Sequence, residues 1–228
     1  MRKNLEYLYT VNAAMPGRRF NVGGDHSMSI ATVASSLNQQ PNTKVIWFDA
    51  HPDINTFESS QSKNVHGMPL AYLTGLCDRL QFDFLDVKLP FENILYVGVR
   101  DIDEYERETI RNFGIETVTC YELNHDPSAV KQRIDEFIAD DPVHLSFDVD
   151  CMDPTIIPCT GTRCGGGLNF NVKEVLDHLH DKNVINIDLT EINLSLGNEA
   201  QRETTMANVL HLFDRYIKVH SLPPPHAH

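Results

Sequence analysis

A chain of 228 residues with a formal net charge of -13, 41% hydrophobic and 22% charged residues has the length for one large core and the composition of an ordinary globular protein. The acidic balance excludes a nucleic-acid backbone or an anionic lipid surface as the natural partner and favours a cationic ligand. Apolar runs such as Val45-Ile46-Trp47-Phe48 fall well short of the ~20 residues of a membrane-spanning helix. Met1–Leu5 lacks the apolar stretch of a secretory signal, so a cytoplasmic setting is expected. The five cysteines (Cys77, Cys120, Cys151, Cys159 and Cys164) are odd in number, contain no CxxC pair and are expected as free thiols, with Cys159 and Cys164 a lesser candidate for a soft metal.

Arg19–Val22 predicts a first short strand, followed by a Gly23-Gly24-Asp25-His26 turn that opens a helix over Ser27–Leu37. Lys44–Asp49 and Asn93–Val99 are apolar enough for buried strands. A helix of mixed charge over Asp103–Phe113 leads to a short strand at Glu116–Thr119. Ser128–Ala139 places Val130, Ile134, Phe137 and Ile138 on one helical face. A strand over Val143–Val149, a helix over Val172–His180, a strand over Val184–Leu189 and a helix over Glu203–Val219 complete the series. Strand and helix alternate, which predicts an α/β fold with a mostly parallel sheet covered on both faces. Residues 1–220 are expected to form a single domain, and the proline-containing residues 221–228 a flexible tail.

The chemistry-bearing residues follow the strands. Gly23-Gly24-Asp25-His26-Ser27 comes after the first, Asp49-Ala50-His51-Pro52-Asp53-Ile54-Asn55 after the second, and Asp148-Val149-Asp150-Cys151-Met152-Asp153-Pro154 after the strand at 143–149. In an open parallel sheet these positions meet at one edge, outside the carboxyl ends of the strands. Asp49, His51 and Asp53 are two apart, as are Asp148 and Asp150, and in extended backbone such residues share a side. One aspartate after a strand is ordinarily a turn or cap residue. Four carboxylates and two imidazoles in three such clusters repel one another unless cations neutralise them. The oxygen and nitrogen donor set of His26, Asp49, His51, Asp53, Asp148 and Asp150 suits manganese, zinc, iron or cobalt. Two ions ~3.5–4 Å apart hold a bridging hydroxide that is nucleophilic at neutral pH.

These three segments resemble the signatures of the ureohydrolases, the family of arginases and agmatinases, and the resemblance spans residues from about 18 to 215. It implies a three-layer α/β/α sandwich with a binuclear manganese centre. His26, Asp49, Asp53 and Asp148 would hold one ion; Asp49, His51, Asp148 and Asp150 would hold the other. Within the family, Asn55 and the Ser62-Lys63-Asn64-Val65-His66-Gly67 loop are similar to arginases. The resemblance thus implies that Asn55, Ser62 and Asn64 take the α-carboxylate of L-arginine and Asp103 its α-amino group. Glu191 and Thr162 would face the guanidinium, with His66 a proton shuttle and Asp150 a relay. The implied products are urea and L-ornithine.

The sequence also departs from the family pattern. By the resemblance, relatives carry roughly seventy to eighty more residues before the first signature, room for a couple of strand–helix units; an N-terminally shortened sandwich is therefore expected. Arg163 stands where the family has proline, and Asn171-Val172 where arginases commonly carry an Arg-Glu pair used between subunits. A homo-trimer is thus expected from the resemblance alone. Two alternatives remain open: a non-catalytic or partner-regulating arginase-like protein, and an agmatinase or other guanidino-acid amidinohydrolase.

Overall fold

The computed structural model describes residues 1–217. Six strands, β1 (Arg19–Val22), β2 (Lys44–Phe48), β3 (Ile94–Val97), β4 (Glu116–Val118), β5 (Val143–Asp148) and β6 (Val184–Thr190), form one sheet in the order β1-β6-β5-β2-β3-β4, every pairing parallel. The helices are α1 (Arg2–Ala14), α2 (Ser29–Gln39), α3 (Pro69–Thr74), α4 (Glu104–Phe113), α5 (Cys120–His125), α6 (Pro127–Ile138), α7 (Val172–His180) and α8 (Glu199–Leu212). Among the described residues no helix is long and apolar enough to cross a membrane.

Strand alternation sorts the apolar side chains into two cores. Ile46, Phe48, Leu95, Val97, Val143, Leu145 and Phe147 face one way and bury Val130, Ile134 and Ile138 of α6, Val175 and Leu179 of α7, and Val209 and Leu212 of α8. Val45, Trp47, Ile94 and Tyr96 face the other way, onto Ile30, Val33 and Leu37 of α2 and Leu70 and Leu73 of α3. Helices therefore cover both faces of the sheet, as the alternation of elements predicts.

The topology places a crevice. From β2 the chain passes through α3 to β3 on one face; from β5 it passes through α7 to β6 on the other. The two strands are neighbours, with Phe48 in register with Phe147. Their outgoing loops thus part company above the strand ends, the arrangement in which open α/β sheets bind ligands.

Differences from the predicted elements are local. The helix predicted from Ser27 begins at Ser29, because His26–Met28 form a 3-10 turn capped by the Asp25 side chain on the Ser27 backbone N–H. The last helix starts four residues earlier than predicted, at Glu199, where Asn198 and Gln201 form a capping box, and ends at Leu212. Its predicted extension to Val219 is contradicted as far as residue 217; the remainder and the expected tail lie outside the described residues. The predicted set omits α1, α3 and α5. Thr119 and Glu122 box the start of α5, a signal present in the sequence. Helix α1 buries only Leu5 and Asn12 and so has little apolar periodicity to betray it.

Phe147 is fully buried on β5, 5.5 Å from the Phe48 ring and 5.1 Å from the Phe213 ring in an edge-on contact. Phe147→Ala is expected to cost about 3–5 kcal/mol through lost transfer energy and the cavity left behind. Urea unfolding would show a lower midpoint at unchanged slope.

Candidate metal centre

The three segments predicted to converge do so above β2 and β5. The His26 ring, carried in from the end of β1, stacks on the Trp47 indole at 4.1 Å between centroids. Its Nδ1 lies 2.9 Å from Asp49 Oδ2, 3.1 Å from Asp53 Oδ2 and 3.3 Å from Asp148 Oδ2. His51 Nδ1 lies 3.3 Å from Asp49 Oδ1 and 3.2 Å from Asp150 Oδ2. Two groups, His26 with Asp49 and Asp148, and Asp49 with His51 and Asp150, each bring their donor atoms within 4.8 Å of one another. Neither contains a cysteine; the five thiols are free.

The convergence does not arise from strand alternation. Asp49 follows the last residue of β2, and Asp53 adopts φ +50 in the turn beyond. Asp148 ends β5, but Asp150 sits in a 3-10 turn over Val149–Cys151. The turns are built by the ligands themselves. Asp49 Oδ1 accepts from the His51 backbone N–H at 2.7 Å, Asp148 Oδ1 from that of Asp150 at 2.8 Å, and Asp150 Oδ1 from that of Ala50 at 3.1 Å. The Trp47 indole N–H donates to Asp49 Oδ2 at 3.1 Å. Asp148 and Asp150 thus spend Oδ1 on a backbone N–H and turn Oδ2 toward an imidazole, whereas both oxygens of Asp49 face the cluster, Oδ1 toward His51 and Oδ2 toward His26.

The donor set fits a cation on the structure's own terms. His26 Nδ1 is buried with no hydrogen-bond partner while its other ring nitrogen is engaged, so one lone pair or one proton points at three carboxylates. Burial and the Asp49 charge push Asp53 up to about 7. Burial and the charges of Asp150 and Asp49 drive Asp148 well above the carboxylate range. Burial disfavours charge on His51, but Asp150 and Asp49 outweigh it and push the imidazole up to about 12. Protons thus occupy positions that divalent ions would take, since ligation requires deprotonated donors.

A cleft opens above this floor. It is lined by His26, His51, Asp53, Asn55, Ser60, Gln61, Ser62, His66, Gly67, Asp101, Asp103, Glu106, Asp148, Thr162 and Glu191, with no lysine or arginine. Glu191 leaves β6 at φ +64 and accepts from the His26 backbone N–H at 2.9 Å; its Oε1 lies 3.5 Å from His66 Nδ1, and the Glu191 contact raises the His66 pKa. Thr162 donates to Asp150 Oδ2 at 2.8 Å. Asn55 Nδ2 donates to Asp103 Oδ2 at 3.0 Å. Of the predicted substrate contacts, Asn64 alone does not line the cleft; it is exposed on the loop, where its N–H bonds Ser62 Oγ.

Sequence reasoning missed Glu106 and Arg100. Glu106 is buried beside Asp103, and burial pushes it up to about 8. The Asp103-x-x-Glu106 spacing is a capping-box signal at the head of α4 and could have found it. Arg100 spends its guanidinium on backbone carbonyls: Nη2 on Asp150 at 2.9 Å and Cys164 at 2.7 Å, Nη1 on Gly98 at 3.1 Å and Cys151 at 3.2 Å, Nε on Gly165 at 3.2 Å. It ties the turn bearing Asp150 to the loop bearing Thr162, a role that no sequence spacing reveals.

A parallel α/β/α sandwich with an imidazole–carboxylate cluster at the carboxyl ends of adjacent strands is the class this architecture defines. Residues 7–213 match the model of the Arginase family, and the chain belongs to that family. It is 38% identical over 197 residues to an arginase of Schizosaccharomyces pombe, covering 82% of this chain and 60% of that protein. It is likewise 38% identical over 193 residues to an arginase of Staphylococcus aureus, covering 80% and 63%. The chain thus spans about three-fifths of the length of these relatives. The fold matches the crystal structure of Entamoeba histolytica arginase in complex with L-ornithine with a TM-score of 0.83 at 32% identity, covering 92% of this chain and 74% of that one.

The proton positions give a pH dependence with a definite sign. In the absence of divalent ions, Asp53 is raised from 3.8 to about 7, Glu106 from 4.5 to about 8 and His51 from 6.5 to about 12. The folded state then holds protons that the unfolded chain has released, so stability falls as pH rises between each ordinary value and its folded one. Asp49, which is lowered, acts only below its ordinary 3.8. The metal-free protein is expected to have a lower urea midpoint at pH ~8 than at pH ~6, and saturating manganese to reduce that slope by replacing the protons on Asp53 and His51, leaving the share of Glu106, which is not among the ligands.

Proposed function

We propose that this chain hydrolyses the guanidinium group of L-arginine to L-ornithine and urea with two manganese ions at the His26–Asp49–His51–Asp53–Asp148–Asp150 cluster. The observation that carries this reading is one cleft combining a metal-capable floor with the polar groups an α-amino acid needs at its mouth. The complex of the Entamoeba relative with L-ornithine supports it.

His26, Asp49, Asp53 and Asp148 would hold one ion, and Asp49, His51, Asp148 and Asp150 the other. Bound there, the ions would lower the pKa of water and supply a nucleophile at neutral pH. Glu191, fixed by the His26 backbone N–H and an uncommon left-handed backbone conformation, presents a carboxylate that pairs with a planar guanidinium. His66, whose pKa the same carboxylate raises, would deliver a proton to the leaving amine. Thr162 holds Asp150 Oδ2 from the cleft side. Asn55 and Ser62 are neutral hydrogen-bonding groups suited to the α-carboxylate, while Asp103 and Glu106 suit the α-amino group. The cation-free lining favours a positively charged substrate throughout. Asn64, on the rim, would reach the carboxylate only through a shift of its loop.

Purified protein is expected to release urea from L-arginine in the presence of manganese, with agmatine, which lacks the carboxylate, turned over poorly. Agmatine turnover equal to that of arginine would refute the substrate assignment. A cooperatively folded, manganese-loaded chain that hydrolyses no guanidino compound would establish the non-catalytic alternative. Asp103→Asn is expected to reduce kcat/KM for arginine by ~10–150-fold, as for a charge-assisted hydrogen bond of about 1.5–3 kcal/mol, chiefly through KM.

A further inference from the structure

Beneath the floor of the cleft, the face of the sheet turned toward α2 changes character. β2 and β3 present Val45, Trp47, Ile94 and Tyr96 on that face, but β5 and β6 present His144, Ser146, Asn186 and Asp188, all fully buried. Burying a carboxylate is costly unless donors surround it. Asp188 Oδ2 accepts from Ser29 Oγ at 2.9 Å, from Thr32 Oγ1 and from the His144 ring at 3.0 Å; Oδ1 accepts from Asn21 Nδ2 at 2.8 Å. Four donors thus hold the carboxylate.

The arrangement has a direction. The Ser29 hydroxyl proton is committed to Asp188, so Ser29 Oγ faces the Ser146 hydroxyl, 3.4 Å away, as an acceptor. A Ser146 proton turned toward Ser29 would leave Ser146 Oγ to accept from the His26 Nε2 atom 2.8 Å beyond it. In that arrangement Nε2 carries a proton. The lone pair of the neutral ring is then on Nδ1, the nitrogen that faces Asp49, Asp53 and Asp148 and has no hydrogen-bond partner. Stacking on Trp47 sets the ring plane but cannot choose between the nitrogens.

We propose that Asp188, Ser29 and Ser146 are positioning residues: a one-way hydrogen-bond relay, running from the core to the cleft, that locks His26 as an Nδ1 donor for the ion on its side of the cluster. The inference rests on the metal-centre reading given above and adds to it the groups that make one of the two ion positions preorganised. Among the described residues the His51 side has no buried counterpart; that ring's Nε2 lies 3.6 Å from the exposed Asp101 carboxylate.

The test compares the full chain with Ser146→Ala and Ser29→Ala by manganese titration, followed by calorimetry and by electron paramagnetic resonance of free ion. Zinc-loaded protein serves for nitrogen-15 NMR of the histidine rings. Loss of an outer-shell partner of a metal-bound histidine ordinarily costs 10–100-fold in affinity. Each variant is expected to weaken one of the two manganese sites by that factor and leave the other within about threefold. The wild-type His26 ring is expected to show a slowly exchanging Nε2–H, lost or broadened in both variants. A merely structural role would weaken both sites together. Should Ser29→Ala fail to fold, Ser146→Ala, which leaves all four donors to Asp188 in place, carries the test alone. Two wild-type sites whose affinities neither substitution changes, equal weakening of both, or a His26 ring protonated only at Nδ1 in zinc-loaded protein would overturn the relay while leaving the metal reading intact. A wild-type chain that binds no manganese would overturn both.

Discussion

Four carboxylates lie in one buried patch above β2 and β5, and the rest of the architecture answers to the repulsion among them. Donor atoms of each metal-capable group lie within 4.8 Å of one another. At an effective dielectric constant of about 20, two like charges at such a distance cost on the order of 3 kcal/mol. Backbone N–H groups of Ala50, His51 and Asp150 and the Trp47 indole orient the carboxylates, yet dipoles alone do not cancel the charge. Protons on Asp53, Asp148 and the two imidazoles do so in the absence of ions. The same geometry makes those protons exchangeable for divalent cations.

Holding such a patch together takes backbone that a sheet alone would not supply. Asp53 at φ +50 and Glu191 at φ +64 occupy a region that residues other than glycine seldom enter. Both are pinned by the fold. The Asp53 carbonyl accepts from Leu70 at the start of α3, and the Glu191 N–H donates to the Gly24 carbonyl in the turn after β1. Gly167 lets the loop carrying Thr162 close on the Met152–Asp153 backbone, since a Cβ there would come within 2.5 Å of it. Arg100 fastens the same loop from the opposite side. The cleft is thus assembled from the ends of β1, β2, β5 and β6 and kept in register by backbone contacts between the loops.

The two faces of the sheet serve different purposes. Toward α6, α7 and α8 the core is apolar from edge to centre, which supplies stability. Toward α2 it becomes polar under β5 and β6, where a saturated Asp188 and its serine partners reach the His26 ring. Buried polar groups are costly for a fold and useful for a site, and here they lie directly under the histidine that the cluster requires.

All six strands, the alternating α/β order and the six clustered side chains were legible in the sequence, because apolar runs of strand length ending in Asp and His clusters are local signals. Asn55, Ser62, His66, Asp103, Thr162 and Glu191 were legible only through the resemblance of their segments to a family; the structure brings them to one cleft and leaves Asn64 on the rim. The tertiary structure decided what depends on contacts distant along the chain. The ligands converge through 3-10 and left-handed turns rather than strand alternation, because the ligand carboxylates themselves accept the turns' backbone N–H groups, Asp49 and Asp148 within their own turns and Asp150 across to Ala50. Glu106 joins the cleft because α4 packs its first turn against Ile54. Arg100 acts across 50 and 64 residues of sequence on the carbonyls of Asp150 and Cys164. Asp188, 162 residues from His26 in sequence, reads as one of three polar residues, with Asn186 and Thr190, in an otherwise apolar strand. Only the pairing of β5 with β6, and α2 lying across both, sets it two hydroxyl groups away from that ring.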